Sequence, residues 1–138
     1  IKIIKKFLKV KLRDKLLDVG CGTGLTTIPW KCKRYGIDPS KKLLERARQK
    51  KKVIYKQASA ENIPFKNHFF NVVISVTAIQ NFTNVEKGLK ETKRVGKDKF
   101  ILTFLKKSSK KDKIIKLIKK HFKVKKLIEE DKDIIFVI

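Results

Sequence analysis

The chain has 138 residues, of which 41% are hydrophobic, and this length and composition suit one domain, residues 1–138, with one core. It carries 37 Lys and Arg against 13 Asp and Glu, and the resulting net charge of +24 attracts polyanions such as RNA. A general lysine bias of the genome or a hot habitat would give the same excess, so both interpretations stay open. No apolar run reaches the roughly 18 residues of a membrane span, and two cysteines cannot frame a disulfide-rich fold, so we predict a cytoplasmic protein without membrane contact.

In the first half of the chain, helical and extended hydrophobic patterns alternate. Pro29 should keep the second helix short or confine it to its first turn, and Ser40 is suited to cap the start of the third. In chain order, the predicted elements of this half are the helix Ile1–Val10, the strand Lys15–Val19, the short helix Leu25–Trp30, the strand Lys33–Ile37 that ends at Asp38, the helix that starts at Pro39 and Ser40, and the strand Val53–Gln57.

The second half continues the same alternation, which predicts an α/β fold. Its first strand is an unbroken apolar run, typical of a parallel strand that is covered on both faces. Gly96 is suited to end the helix Asn84–Val95, which directly precedes it. In chain order, the predicted elements of this half are the strand Phe70–Val76, the helix Asn84–Val95, the strand Phe100–Leu105, the helix Ser108–His121 and a terminal hairpin of Phe122–Glu129 and Asp133–Ile138.

A glycine-rich turn directly after the first strand is the clearest sign of a ligand site. Gly20, Gly22 and Gly24 permit unusual backbone angles and let a ligand touch the main chain. Asp38 follows at the end of the second strand, and an ionised carboxylate can accept both hydroxyl hydrogens of a ribose. Leu25 stands where a dinucleotide fingerprint needs its third glycine, which argues against a pyrophosphate ligand. Together these residues predict a pocket for an adenosine-containing cofactor.

The words LLDVGCGTGLTT (Leu16–Thr27) and YGIDPSKKLLERAR (Tyr35–Arg48) resemble motifs I and II of the class I S-adenosylmethionine-dependent methyltransferases, of the type called methyltransferase domain 11. The resemblance continues through Ala58–Phe65 and Phe69–Ser75 and covers roughly Lys11–Leu105 in the family's order. It implies a Rossmann-like three-layer sandwich with a mostly parallel seven-stranded sheet whose last strand is antiparallel. It also implies an enzyme that uses S-adenosyl-L-methionine and releases S-adenosyl-L-homocysteine.

The same resemblance assigns cofactor-binding residues position by position. Asp18 matches the acid that orders the glycine loop and the amino-acid end, and Asp38 matches the ribose-binding acid, although a helix dipole alone also favours a carboxylate there. Ser59 replaces an Asp that usually accepts from the adenine amino group, so this contact would lack charge. The residues expected at the cofactor are Asp18, Gly20, Cys21, Gly22, Gly24, Asp38, Pro39, Ser59, Ala60, Glu61 and Ser75. No Cys and His cluster has metal-ligand spacing, so we expect no metal site.

The end of the fourth strand, Ser75–Phe82, should lie beside the transferred methyl group, because ligands bind at the carboxyl ends of such strands. Gln80 and Asn81 are the candidate catalytic residues: they either orient an amide-like or base-like acceptor or simply begin a helix with satisfied polar groups. The absence of an N-P-P-Y or D-P-P-Y word argues against methylation of adenine or glutamine amino groups. Lys106–Lys126 contains eleven lysines and one acid, and forms either a solvated helix face or a phosphate-binding rim.

RNA is the acceptor that we favour from the sequence. The segment Ile63–Phe82 loosely resembles ribosomal-RNA guanine-N7 and wobble-uridine tRNA methyltransferases, and the resemblance implies a small zinc-binding activator protein at the edge strand Val53–Tyr55. Two observations weaken the RNA interpretation: Lys outnumbers Arg, and few aromatic residues lie between the lysines for base stacking. A small-molecule methyltransferase of the quinone or metabolite type is one alternative, and a cofactor-binding subunit that needs a partner for catalysis is another.

Overall fold

The structure is a computed structural model that describes residues 2–49 and 52–138. The helices and strands follow each other in the predicted alternation. In chain order they are α1 (Lys2–Phe7), β1 (Lys15–Val19), β2 (Lys33–Asp38), α2 (Lys41–Arg48), β3 (Val53–Gln57), β4 (Phe70–Ser75), a 3-10 helix (Ile79–Asn81), α3 (Val85–Val95), β5 (Gly96–Leu105), α4 (Lys111–His121), β6 (Lys126–Glu129) and β7 (Asp133–Val137).

The seven strands form a sheet in the order β3-β2-β1-β4-β5-β7-β6. The first five strands pair in parallel, whereas β7 pairs antiparallel with both β5 and β6 and therefore runs against all the others. This topology confirms the predicted α/β class and the mostly parallel seven-stranded sheet with its antiparallel last strand. It also leaves β3 at one edge of the sheet and β6 at the other.

Two apolar layers cover the sheet, because the side chains of each strand alternate between its faces. On one face, Leu17 and Val73 belong to a core that α3 and α4 complete through Leu89 and Ile114. On the other face, neighbouring strand residues pack against the residues Ile4 and Leu8 and against the indole of Trp30. Helix α2 adds a small cluster with β3 through Leu44, Ala47 and Tyr55. The result is the expected three-layer sandwich.

The short helix predicted over Leu25–Trp30 is reduced to one helical turn, which is the more restricted of the two outcomes expected from Pro29. The Ile28 N–H donates to the Gly24 carbonyl at 3.0 Å, and Pro29 then has no N–H with which to extend the turn. The Trp30 indole is buried and donates to the Thr26 carbonyl at 3.0 Å. One large side chain thus covers the sheet beside this single turn.

Several element ends also differ from the prediction. Helix α1 ends at Phe7 rather than Val10, and Ile1 lies outside the described residues. Strand β5 begins at Gly96, immediately after α3, and Ser40 caps α2 as predicted by accepting from the Leu43 N–H at 3.3 Å. The residues from Phe122 onward do not extend β6, because the Phe122 ring packs on Phe100 with 5.2 Å between centroids. Within the described ranges, no helix is long and apolar enough to cross a membrane.

Candidate active site

A cavity of about 330 Å³ lies where β1, β2 and β4 reach their carboxyl ends. The chain reverses direction at each of these ends, so backbone and short side chains from different segments meet there. The walls of the cavity include most residues predicted to bind the cofactor and one of the two candidate catalytic residues. The lining residues are Gly20, Gly22, Asp38, Pro39, Leu43, Ser59, Ala60, Glu61, Thr77, Ala78, Asn81, Phe82 and Thr83.

The Asp38 carboxylate joins two walls of this cavity. Its Oδ2 accepts from the Gly22 N–H at 2.9 Å, and its Oδ1 accepts from the Ser40 N–H at 2.8 Å. Each carboxylate oxygen has a further lone pair, so the group can still accept hydrogen bonds from a ligand diol. Asp38 therefore holds the glycine turn to the start of α2 and keeps its capacity to bind ribose.

Gly22 is the point where a ligand can approach the main chain most closely. Its φ of 55° is in the left-handed region, and a Cβ added there would have only the Leu43 Cδ1 within reach, at 4.0 Å. At Gly20, by contrast, an added Cβ would lie 2.6 Å from the Ala78 Cβ. Gly22 thus keeps the cavity open, and Gly20 lets the turn pack against the segment after β4.

Asp18 lies behind the glycine turn and is fully buried. Its Oδ2 accepts from the Thr26 hydroxyl at 2.6 Å and from the Thr27 hydroxyl at 2.8 Å, whereas Oδ1 has no hydrogen-bond partner within the part of the chain that the structure describes. Burial raises the pKa of this carboxyl from its ordinary 3.8 to about 6, although the two hydroxyls lower it. These contacts support the predicted role of Asp18 in ordering the loop.

Four more residues expected at the site do not line the cavity. Cys21 is buried beside Tyr55 and Leu44, and this burial raises the pKa of its thiol. Gly24 packs against the Tyr55 hydroxyl, where an added Cβ would clash. The Ser75 hydroxyl donates to the Val19 carbonyl at 2.9 Å and so ties β4 to β1.

The fourth of them is Gln80, which uses its amide for local structure. Its Nε2 donates to the Thr77 carbonyl at 2.8 Å, and its Oε1 accepts from the Leu105 N–H at 3.4 Å. Asn81 does line the cavity, so it is the candidate that the structure leaves at the acceptor side. Lys110 lies at the adjoining rim, where its Nζ donates to the carbonyls of Gln80 at 3.3 Å and Phe82 at 3.5 Å.

Five lining residues carried no specific signal in the sequence. Leu43 lies in α2, and the others fall in or directly after Ser75–Phe82, the segment expected beside the transferred methyl group, without a recognised role. Thr77 is notable because its φ of 55° is unusual for a β-branched residue. Its N–H donates to the Thr103 hydroxyl at 2.8 Å, and its own hydroxyl donates to Asp133 Oδ1 at 3.2 Å. The five residues are Leu43, Thr77, Ala78, Phe82 and Thr83.

Comparison with known families decides what kind of cavity this is. A family profile described as a methyltransferase domain matches residues 17–104, which is more than half of the chain and includes the walls described above. The chain belongs to this methyltransferase family. S-adenosyl-L-methionine is therefore the cofactor to which the cavity must be compared, as the motifs predicted.

Curated relatives of this methyltransferase domain cover several activities. An uncharacterised protein of Methanocaldococcus jannaschii is 36% identical over 102 residues, which are 74% of this chain and 39% of that protein. The ubiquinone biosynthesis O-methyltransferase of Pelagibacter ubique is 34% identical and shares 72% of this chain and 47% of its own length. A demethylmenaquinone methyltransferase of Chlorobaculum tepidum is 34% identical over 66% of this chain and 40% of its own length. The methyltransferase domain thus spans less than half of each of these relatives.

Solved structures confirm the fold of the methyltransferase domain. The PH0226 protein of Pyrococcus horikoshii has a TM-score of 0.85 at 20% identity and matches 99% of this chain and 85% of that one. A SAM-dependent methyltransferase of Aquifex aeolicus has a TM-score of 0.80 at 19% identity, and the match covers 99% of this chain and 86% of that one. A third match is the protein solved in complex with the Trm112 methyltransferase activator of Haloferax volcanii, with a TM-score of 0.69, 20% identity and 75% and 50% covered.

The residues of the cavity fit S-adenosyl-L-methionine. Asp18 Oδ1 is a buried acceptor without a partner in the described ranges, next to the turn where the amino-acid end is expected. Gly22 leaves room at the main chain, and the Asp38 carboxylate has lone pairs for the ribose. Ser59 and Ala60 line the wall that the motifs assign to adenine. Among residues 2–49 and 52–138, no group of three His, Cys, Asp or Glu side chains is placed to hold a metal ion.

We expect Asp18 to make the stability of the protein fall as the pH rises from about 4 to about 6. The folded carboxyl keeps its proton up to a pKa of about 6, whereas the unfolded one releases it near 3.8, so the folded state binds more protons in this window. The free energy of unfolding is measured in urea for the wild type and for Asp18→Asn. The stability of the wild type relative to the variant should be lower at pH 6 than at pH 4. A difference that does not change with pH would show that Asp18 titrates normally.

We expect Asp38→Asn to weaken binding of S-adenosyl-L-homocysteine about tenfold or more, since a hydrogen bond to a charged group is worth about 1.5–3 kcal/mol. Isothermal titration calorimetry measures the affinity. Asp112→Asn, on the exposed surface of α4, is the matched control and should bind like the wild type. Equal affinities of Asp38→Asn and the wild type would exclude the ribose role.

Proposed function

We propose that this methyltransferase transfers the methyl group of S-adenosyl-L-methionine to RNA. The observation that carries the proposal is the net charge of +24 on a domain of 138 residues. Part of this charge lies around the cavity: Lys110 is at its rim, and the exposed Lys41 and Lys42 begin α2 directly after the lining residue Pro39. Such a rim attracts phosphates and speeds the capture of a polyanion. An RNA acceptor also agrees with the predicted cytoplasmic location.

The lysines of α4 extend the positive surface away from the cavity. Ile114 and Ile118 bury one side of this helix against the core, so Lys113, Lys116 and Lys119 are left exposed. These three lysines make no ion pair within the described residues. Their charge is therefore not neutralised within the fold, which supports a phosphate-binding role for this face.

The chain's own contribution to methyl transfer is positioning. When bound, S-adenosyl-L-methionine supplies an electrophilic methyl group that a nucleophile attacks in line with the departing sulfur. Asp38 and the Gly22 main chain would hold the cofactor at one side of the cavity. Thr77 and Asn81 form the side that follows β4. Holding two reactants in line is worth roughly 7–11 kcal/mol. An acceptor nitrogen with a free lone pair needs no general base, which agrees with the described wall residues, none of which is His or Tyr.

A small aromatic acceptor is the second candidate function. The names of two relatives, a ubiquinone biosynthesis O-methyltransferase and a demethylmenaquinone methyltransferase, favour this class. Leu43, Ala78 and Phe82 give the cavity apolar walls that suit a ring. The high positive charge is what favours RNA over this candidate, because a neutral quinol gains nothing from a lysine-rich rim.

We expect the purified protein to incorporate labelled methyl groups from S-adenosyl-L-methionine into total RNA. Ribonuclease should remove the label, and added salt should lower the rate, because phosphate contacts are screened. Asp38→Asn should show little incorporation, whereas Asp112→Asn should match the wild type. Methylation of a quinol-type acceptor at a rate independent of salt, with no label in RNA, would decide for the second candidate.

We also propose that a small zinc-binding activator protein pairs with Val53–Tyr55. This segment belongs to the edge strand β3, whose outer backbone groups have no neighbouring strand in the described sheet. Ile54 is half exposed there, which gives a partner an apolar anchor. The Haloferax volcanii protein whose fold this chain shares was solved in complex with the Trm112 methyltransferase activator.

Coexpression tests the activator. A Trm112-type activator should copurify with the wild type and not with Ile54→Lys, because a charge would replace the anchor. Leu127→Lys is the matched control, since Leu127 is an exposed apolar residue of the opposite edge strand, β6. A wild type that is soluble and active alone, and that binds no activator, would contradict this proposal.

A further inference from the structure

We propose that a surface patch of two phenylalanines and four lysines binds a single-stranded segment of RNA. The proposal rests on the proposed function, because it adds a docking surface to the RNA substrate. We call this surface the aromatic–lysine patch, and it lies on the face of the sheet that α3 and α4 cover, beside the edge strand β3. Its members are Lys15, Lys33, Lys56, Phe65, Lys66 and Phe69.

The two phenylalanine rings form a fixed platform. Phe65 and Phe69 stack on each other, with 5.6 Å between centroids and 19° between planes, and both stay partly exposed. Beneath them, Phe70 and Tyr35 are buried, and their rings contact both exposed rings edge-on at 4.9–5.8 Å. The platform therefore cannot collapse into the core when a ligand leaves it.

Lysine ammonium groups surround this platform. Lys15 Nζ lies 4.2 Å from the centroid of Phe69, and Lys66 Nζ lies 5.8 Å from it. Lys56 Nζ lies 5.5 Å from the centroid of Phe65. Lys15 and Lys56 are far in sequence from the segment Phe65–Phe69, so the fold adds basic groups to these rings that the order of residues does not display.

The loop that carries the rings is held in place from α3. The Arg94 guanidinium donates to the carbonyl oxygens of Phe65 and Ile63, both at 2.8 Å, and to Asn67 Oδ1 at 2.9 Å. Glu91 pairs with Arg94 and accepts from the Ile63 N–H at 3.0 Å. A loop fixed in this way loses little conformational entropy when it binds a ligand.

The chemistry of the patch suits unpaired nucleotides. An exposed cation–π contact is weaker than a base stacked on an aromatic ring, so a base can displace a lysine, which then reaches the adjacent phosphate. Two nearby carboxylates already have partners: Asp14, next in sequence to Lys15, accepts from the Lys11 N–H at 2.9 Å, and Glu91 pairs with the Arg94 that holds the loop. Stacking requires a base outside a duplex, which points to a single strand.

The patch is close enough to the cavity for one RNA strand to occupy both. Glu61 lines the cavity, and Phe65 follows four residues later, so at most about 14 Å of chain separates them. Lys15, Lys33 and Phe69 lie at the amino ends of β1, β2 and β4, so an RNA strand bound at the patch would pass along the segment Glu61–Phe65 to reach the cavity at the carboxyl ends.

Fluorescence anisotropy with a labelled oligouridylate of about 12 nucleotides tests the patch, since single-strand sites span about 4–16 nucleotides. Phe65→Leu and Phe69→Leu should each weaken binding about fivefold or more without changing the salt dependence, because they remove stacking only. Lys56→Gln and Lys66→Gln should each lower the slope of log affinity against log salt by about 0.7. Phe69→Tyr keeps the ring and should bind like the wild type.

Phe7→Leu is the matched control, because Phe7 is also partly exposed and lies under a lysine, with Lys126 Nζ 4.8 Å from its centroid. It should bind like the wild type, and thermal melts should show that each variant is folded.

If Phe65→Leu, Phe69→Leu and both lysine variants bind like the wild type while RNA is still methylated, the patch is excluded and the proposed function stands. If the wild type neither binds nor methylates RNA, both proposals fail. If the patch variants lose activator binding while their RNA binding is unchanged, this surface is a protein interface and the inference is overturned.

Discussion

The two hydrogen bonds that the Asp38 carboxylate accepts from the main chain determine the shape of the site. One ties the glycine turn after β1 to Asp38 and the other ties the start of α2 to it, so the turn and the helix keep fixed positions at one side of the cavity. The remaining walls follow from the sheet order, which puts β4 next to β1 and brings Ala78 against Gly20. The residue that we expect to bind the ribose is thus also one that builds its own pocket.

Burial and charge are strictly divided between the interior and the surface of this protein. Among the described residues, the buried carboxyl groups are those of Asp14, Asp18 and Asp38. Each of them accepts hydrogen bonds from hydroxyl or backbone donors. The surface holds the lysines, mostly without carboxylate partners. Such a protein repels copies of itself and attracts polyanions, and electrostatic attraction of this kind depends strongly on the salt concentration.

The fold could be predicted from the sequence where one local pattern decided the outcome. Apolar runs, caps and glycines placed β1, β4 and α3 almost correctly, and the motifs located Asp38 and the glycine turn. At Leu25–Trp30 the sequence left a short helix and a single turn open, and Pro29 decided for the turn. For Gln80 it left an acceptor role and a structural role open, and the structural one depends on Thr77 and on Leu105, which is distant in sequence. The aromatic–lysine patch could not be seen at all, because its residues come from four separate segments.

The edges of the sheet also bear on how the protein avoids aggregation. A sheet edge offers unpaired backbone groups to any other strand, and charged side chains discourage such pairing. At one edge, β6 begins with the exposed Lys126 and ends with the exposed Glu129, and at the other, β3 ends with Lys56 and Gln57. Between these polar residues, Ile54 in β3 and Leu127 in β6 remain exposed apolar side chains. Charged and polar groups at the strand ends therefore discourage indiscriminate pairing at both edges and leave only short apolar stretches of the described edges open to another strand.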